Sequence, residues 1–251
     1  MSKKFIFSFA IAAFLGTNAH AISQFDTSDS LPDNTDDYYE QEVEIYDPIE
    51  PVNRAIFEFN NVVDGVLLKP VAQIYEGVVP QWGRDRVSNV LYNLSEPIIM
   101  INSALQGDDV NAFTSLWRFI INSTFGLLGT FDAASEIGLE PRKEDFGQTL
   151  YVWGVEESPY LVLPLLGPST LRDGVGVAVD YYVDPLNYEE VFDDEERVIH
   201  SVAEVINSRT ELLPVTEKID NTAIDPYATY RALFLQKRKS DALNGDISTL
   251  Y

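Results

Sequence analysis

The chain has 251 residues, with 40 acidic and 17 basic side chains, two histidines and no cysteine, for a formal net charge of −23. This balance argues against nucleic acid as a partner, because phosphates demand a basic footprint, and it disfavours electrostatic adsorption to anionic lipid. Without cysteine and with so few histidines, the usual zinc ligand sets are not available.

Lys3 and Lys4, the apolar stretch from Phe5 to Leu15 and the small-residue site Ala19-His20-Ala21 make a secretory signal over residues 1–21. That stretch is shorter than the ~20 residues a membrane-spanning helix needs. The mature chain is therefore expected to start at Ile22, outside the cytoplasm. Residues 22–46 read as an acidic disordered leader, in which Asp26, Asp29, Asp33, Asp36, Asp37, Glu40, Glu42 and Glu44 occur with no basic residue. One helical domain is expected over 47–240, with a C-terminal tail at 241–251.

The first helix is expected to start at Pro51, with Val52, Ile56, Phe59, Val63 and Val66 on one face and Asn53, Asn60 and Asp64 on a neighbouring polar stripe. Lys69-Pro70 is expected to end it. A second helix runs from about Gln81 to Leu94. Ser95 then caps a short segment that stops at Gly107, a good left-handed terminator. Asp108 caps the next helix, whose wide apolar face is Val110, Phe113, Trp117, Ile120 and Ile121.

After it, Phe125-Gly126-Leu127-Leu128-Gly129-Thr130-Phe131 is too interrupted by glycine for regular helix. Asp132 is expected to cap a short turn over Ala133 to Ile137, and a helix is expected from Glu144 to Trp153. Leu161 to Pro168 is apolar, and its two prolines keep it out of a helix. Ser169 or Thr170 caps a helix reaching about Tyr182. Asp193 and Asp194 open another, with Val198, Val202, Val205, Ile206, Leu212 and Leu213 as its apolar side. Asp225-Pro226 opens the last. No sustained period-two alternation occurs, so the fold is mainly α, with irregular Pro- and Gly-rich segments.

Catalytic chemistry is poorly represented. His200 is adjacent to Ser201 on a helix, where neighbours point about 100° apart, and this does not make a catalytic pair. No Gly-x-Ser-x-Gly elbow exists. Gly174-Val175-Gly176 lacks the remainder of a dinucleotide fingerprint and suits helix packing better. No cofactor or metal is expected. Two questions stay open on periodicity alone: the apolar faces belong either to an ordinary core or to a lipid contact, and the Asn53, Asn60, Asp64 stripe faces either bulk solvent or an aqueous path.

Several segments in this order resemble the MlaA/VacJ family of outer-membrane lipoproteins. They are Asn53 to Asn61, Asn93-Leu94-Ser95-Glu96-Pro97, Leu105 to Asp108, Arg118 to Thr124, Asp145 to Leu150, Pro164 to Asp173 and Asp225-Pro226-Tyr227. The resemblance covers roughly Asp47 to Gln236. It implies a single-domain, ring-like array of amphipathic helices around a channel, at the periplasmic face of the outer membrane. The implied activity is non-enzymatic: phospholipid is removed from the outer leaflet and passed to a periplasmic lipid carrier. A trimeric outer-membrane porin stands beside the ring, and an inner-membrane ABC transporter takes part indirectly.

The family usually carries an acylated cysteine at its cleavage site, which this sequence lacks, so no acyl chain is expected. By resemblance, Asn60 and Asn61 end a motif that holds the channel state. Gly126, Gly129, Phe131 and Asp132 belong to a hairpin-like segment that gates it. The resemblance also gives Arg172 a structural role pairing a carboxylate, and Asp173 one capping a neighbour. Asn53 and Asp64 would share the lipid path with Asn60.

Overall fold

A computed structural model describes residues 47–156, 158–188 and 191–244. The expected signal peptide, the leader up to residue 46 and the tail beyond residue 244 lie outside the described residues. Within them the chain is one mainly α-helical domain: α1 (Glu50–Val63), α2 (Lys69–Val78), α3 (Gln81–Gln106), α4 (Asp109–Thr124), α5 (Phe146–Val152), α6 (Leu171–Val183), α7 (Asp194–Thr222) and α8 (Pro226–Ala242).

Most helix starts follow local chemistry. Asp108, Asp145, Thr170 and Asp225 each accept a backbone N–H of the following first turn, and Asp193 forms a full capping box with Glu196. Gly107 closes α3 at φ +79, a conformation that costs a side-chain-bearing residue energy. The expected short helix after Asp132 is a 3₁₀ turn over Ser135–Ile137, whose first N–H donates to the Asp132 carboxylate.

Two expectations are corrected. Lys69-Pro70 does not end the first helix. A π-helical turn over Asp64–Leu68 carries the chain into α2, with Pro70 at the start of the new register, where its missing N–H does little harm. Ser95 is not a cap either, because α3 runs unbroken through Pro97 and the Ser95 hydroxyl donates to the Leu91 carbonyl one turn back. Buried side chains on both sides of the proline, from Asn93 to Ser103, hold that helix together, so packing overrides propensity.

The apolar segment from Leu161 to Pro168 stays out of a helix, as expected. It forms an antiparallel hairpin, β1 (Tyr160–Leu163) with β2 (Gly167–Thr170), in register Tyr160 to Thr170 and Leu163 to Gly167. Its turn is closed by the Leu166 N–H on the Leu163 carbonyl, with Leu165 at φ +66.

The principal packing partners are α3 with α4, α5 with α6, and α2 with α7, while β1 lies along α1. Apolar burial centres on Phe57, Tyr160, Val162, Tyr227 and Phe234. Edge-to-face ring contacts tie it together, Phe57 to Tyr227 at 5.6 Å and Tyr160 to Phe234 at 6.2 Å.

Candidate functional site: a polar cavity behind an apolar surface

The sequence of α4 places a polar residue on every helical turn of one face, and that is the face the protein buries. Asn111, Ser115, Arg118 and Asn122 point inward, and Arg118 is only 2% exposed. Val110, Phe113, Trp117 and Ile120 point outward, with Val110 79% and Trp117 52% exposed. The apolar face of α4 is therefore not a core face. On α1, Val52 and Phe59 are likewise exposed while Asn53 and Phe57 are buried, and Val62 and Val66 continue the outward surface. Across the described residues, buried polar side chains outnumber buried apolar ones. That inverts the usual order of a water-soluble fold.

Buried polar groups require partners, and here they find one another. From α4, Arg118 donates to Glu96 of α3 at 2.6 Å, to Asp132 at 3.2 Å and to the Ser135 hydroxyl at 3.0 Å. Asn122 donates to Asp132 and accepts the Ala134 N–H. Burial pushes the Glu96 carboxyl up to about 7, and the Arg118 guanidinium opposes that shift. The same physics raises Glu144 to about 7, against the hydrogen bond it accepts from Gln106.

This network borders a cavity of about 220 Å³ walled by α3, α7 and the stretch from Asp132 to Lys143. Most of the residues that line it are of polar type: Ser88, Asn89, Tyr92, Arg118, Asn122, Asp132, Lys143, Glu204, Asn207 and Glu211 are among them. The Tyr92 ring stacks under both cations, 5.5 Å from the Arg118 guanidinium and 5.5 Å from the Lys143 ammonium. The Tyr92 hydroxyl is buried and has no hydrogen-bond partner. Among the described residues, no group of three or more His, Cys, Asp or Glu is placed to hold a metal ion.

The residues singled out in the sequence fall into three places. Asn53 is 1% exposed, donates to the Tyr160 carbonyl and accepts the Val162 N–H. Asn60 does the same one step on, donating to the Leu163 carbonyl and accepting the Leu165 N–H. The match is metric: seven helical residues rise about 10.5 Å, and three strand residues about 10 Å. The two carboxamides thus clamp the hairpin to α1 and hold Leu165 in its left-handed conformation, so the stripe faces protein rather than bulk solvent. Asp64 binds Arg209 of α7 in a two-pronged pair at 2.6 and 2.8 Å, and Asn61 is exposed.

Gly126 and Gly129 sit where the chain after α4 doubles back. A Cβ on Gly126 would stand 2.1 Å from the Phe131 carbonyl oxygen, and one on Gly129 would stand 2.7 Å from Asn93 Cβ. Gly129 also has φ +87. Between and around them Phe125, Leu127, Leu128 and Phe131 are exposed, and the Phe131 ring lies 4.6 Å from the Arg86 guanidinium. Asp132 is the residue of this segment that reaches the cavity. Outside its lining, Arg172 pairs with Asp173 and donates to the Val155 and Glu156 carbonyls, while Asp173 accepts from Arg238 at 2.7 Å.

Sequence reading did not select Glu96, Arg118, Lys143, Glu204 or Glu211. Arg118 and Glu96 stood in segments read as family markers. Their signal was a charged residue in the middle of otherwise apolar or amide-rich helical turns.

Residues 45–241 match the MlaA lipoprotein family. A protein of Rickettsia bellii is 37% identical over 198 residues, covering 78% of this chain and 77% of that one. The intermembrane phospholipid transport system lipoprotein MlaA of Escherichia coli is 33% identical over 205 residues, 80% of each chain. A solved structure described under the structural basis for maintenance of bacterial outer membrane lipid asymmetry superposes with a TM-score of 0.68 at 34% identity. It covers 78% of this chain and 98% of its own.

Proposed function

The chain belongs to the MlaA family, and from that premise we propose that it is a non-enzymatic lipid-transfer protein at the periplasmic face of the outer membrane. It takes mislocalised phospholipid from the outer leaflet and passes it inward, which maintains the lipid asymmetry of that membrane. The observation that carries this reading is the inverted helix α4, with Trp117, Phe113 and Val110 outside and Arg118, Asn122 and Ser115 inside. Apolar flanks of this extent are stable in a lipid environment, and a polar interior gives a head group somewhere to go.

No helix among the described residues is long and apolar enough to cross a membrane. In this reading the helices lie in one leaflet as a ring, the apolar side chains hold them there, and the polar cavity is part of the channel they enclose. The segment from Gly126 to Asp132 forms one wall of the path. Its exposed Leu127 and Leu128 meet acyl chains, and the clamp from Asn53 and Asn60 fixes the hairpin that braces α1. A trimeric porin beside the ring, a periplasmic carrier that receives the lipid and an ABC transporter beyond it complete the route.

Two measurements on exported protein test the proposal. Membranes should release it to detergent and not to a high-salt wash, and mass spectrometry of the purified protein should find phospholipid bound. Release by salt alone with no lipid present would overturn lipid transfer and favour a porin-binding protein that conducts none.

A further inference from the structure

The cavity is too small for a whole phospholipid and well suited to part of one. Its 220 Å³ corresponds to several water volumes at ~30 Å³ each. That is the scale of a polar head group without its acyl chains. The distribution of charge around it is specific. Arg118 is committed to Glu96 and Asp132. Burial pulls the Lys143 ammonium below its ordinary range, and the Glu204 and Glu211 carboxylates oppose that shift. Among the residues that line the cavity are three acids, Asp132, Glu204 and Glu211, and two cations, Arg118 and Lys143.

Glu211 is the carboxylate that is built into position. Its Oε1 accepts from the Ser88 hydroxyl at 2.8 Å and from the Asn207 amide at 2.8 Å, and Asn207 also donates to Ser88 at 2.9 Å. This three-residue brace between α3 and α7 uses a single oxygen of the carboxylate. The same cavity is lined by Tyr92, whose hydroxyl is buried and unpartnered, and by Lys143, whose ammonium lies 5.5 Å from the centre of the Tyr92 ring. A donor pair and a fixed acceptor on one small cavity match a ligand that has a phosphate at one end and an ammonium at the other.

We propose that the cavity is a head-group subsite for zwitterionic, amine-bearing phospholipids of the phosphoethanolamine type. Lys143 and the Tyr92 hydroxyl take the phosphate, and Glu211 takes the ammonium. A head group with a phosphate and no amine meets Glu211 as a like charge, so selection works through repulsion as well as attraction. This inference rests on the lipid-transfer reading above and specifies which lipid the path prefers.

The test is native mass spectrometry of the mature protein in detergent, offered equimolar phosphatidylethanolamine and phosphatidylglycerol of identical acyl chains. The wild type should hold the ethanolamine lipid in preference by about tenfold, the ratio that one modest charge contact supplies. Glu211→Gln retains an acceptor for Ser88 and Asn207, so it should fold, and it should bring the ratio close to one with total lipid unchanged. Tyr92→Phe should weaken both lipids together. Inorganic phosphate in millimolar excess should leave the bound lipid in place.

A wild-type ratio near one, or a Glu211→Gln ratio equal to the wild type's preference, overturns the head-group assignment while lipid transfer stands. Displacement of lipid by phosphate alone would make the cavity a free-anion site and also overturn it. Failure of the wild type to hold any phospholipid would instead defeat the lipid-transfer reading itself. Circular dichroism of each variant separates lost binding from lost fold.

Discussion

Two regions of this molecule solve burial in opposite ways. Where α1, the hairpin and α8 meet, Phe57, Tyr160, Val162, Tyr227 and Phe234 pack as an ordinary apolar core. Where α3 and α4 meet, the interior is Glu96, Arg118, Asn122, Asn111 and Ser103, and the aromatic side chains look outward. The first region derives its stability from removing apolar surface from water. The second depends on satisfying every charge it hides, because an unpaired buried ion costs several kcal/mol. The contrast shows that this fold is anchored at one end as a soluble protein would be, and opened at the other into a polar space.

The sharpest way to break the comparison is to orphan one charge. Arg118→Met should destabilise the protein by about 3–5 kcal/mol, because Glu96 is left buried without its partner. Denaturant unfolding of Arg118→Met beside the double variant with Glu96→Gln decides it: the second change should recover much of the loss. A double variant as unstable as the single one would mean that the guanidinium acts through packing alone.

At the conventional end, Asn53→Ala should cost about 1–3 kcal/mol, since the Val162 amide and the Tyr160 carbonyl both lose their partner. Faster hydrogen exchange at Val162 than at Val205 would report the loosened hairpin. Equal exchange would show that β pairing holds the strand without the clamp.

Trp117→Ser sharpens the outward side. Folding in detergent should change by less than about 0.5 kcal/mol, because the ring is half exposed, while partition onto lipid vesicles should fall roughly tenfold or more. Unchanged partition would remove α4 from the lipid contact.

The smallest effect is one of pH. Glu144 has its carboxyl raised by burial to about 7 from the ordinary 4.5. Its contribution is therefore fully present below 4.5 and is lost as the pH rises through about 7. Melting temperatures of Glu144→Gln should fall less steeply than the wild type's between pH 5 and 8. An identical slope would assign the effect to Glu96 or Asp180, which burial raises in the same direction.

Much of the architecture was readable in the residues. Asp108, Asp145, Thr170, Asp193 and Asp225 announce helix starts by their own hydrogen bonding, and Gly107 announces a stop, since these are local effects that neighbours along the chain decide. The π turn before Pro70, the continuity of α3 through Pro97 and the hairpin around Pro164 were not readable. Each depends on side chains far away in sequence: Arg209 on Asp64, Arg118 on Glu96, and Asn60 on Leu163 and Leu165.

The candidate site divides along the same line. Asp132 was selected from the sequence and does border the cavity, whereas Lys143 and Glu211 come together only when α7 folds back along α3. By itself the sequence determined that α4 has one polar and one apolar stripe, because a 3.6-residue period sorts side chains onto faces whatever surrounds them. Tertiary structure alone decided which stripe turned inward. That choice follows from the pairing of Arg118 with Glu96 and Asp132 across two elements, and an amphipathic pattern has the same period with either face buried.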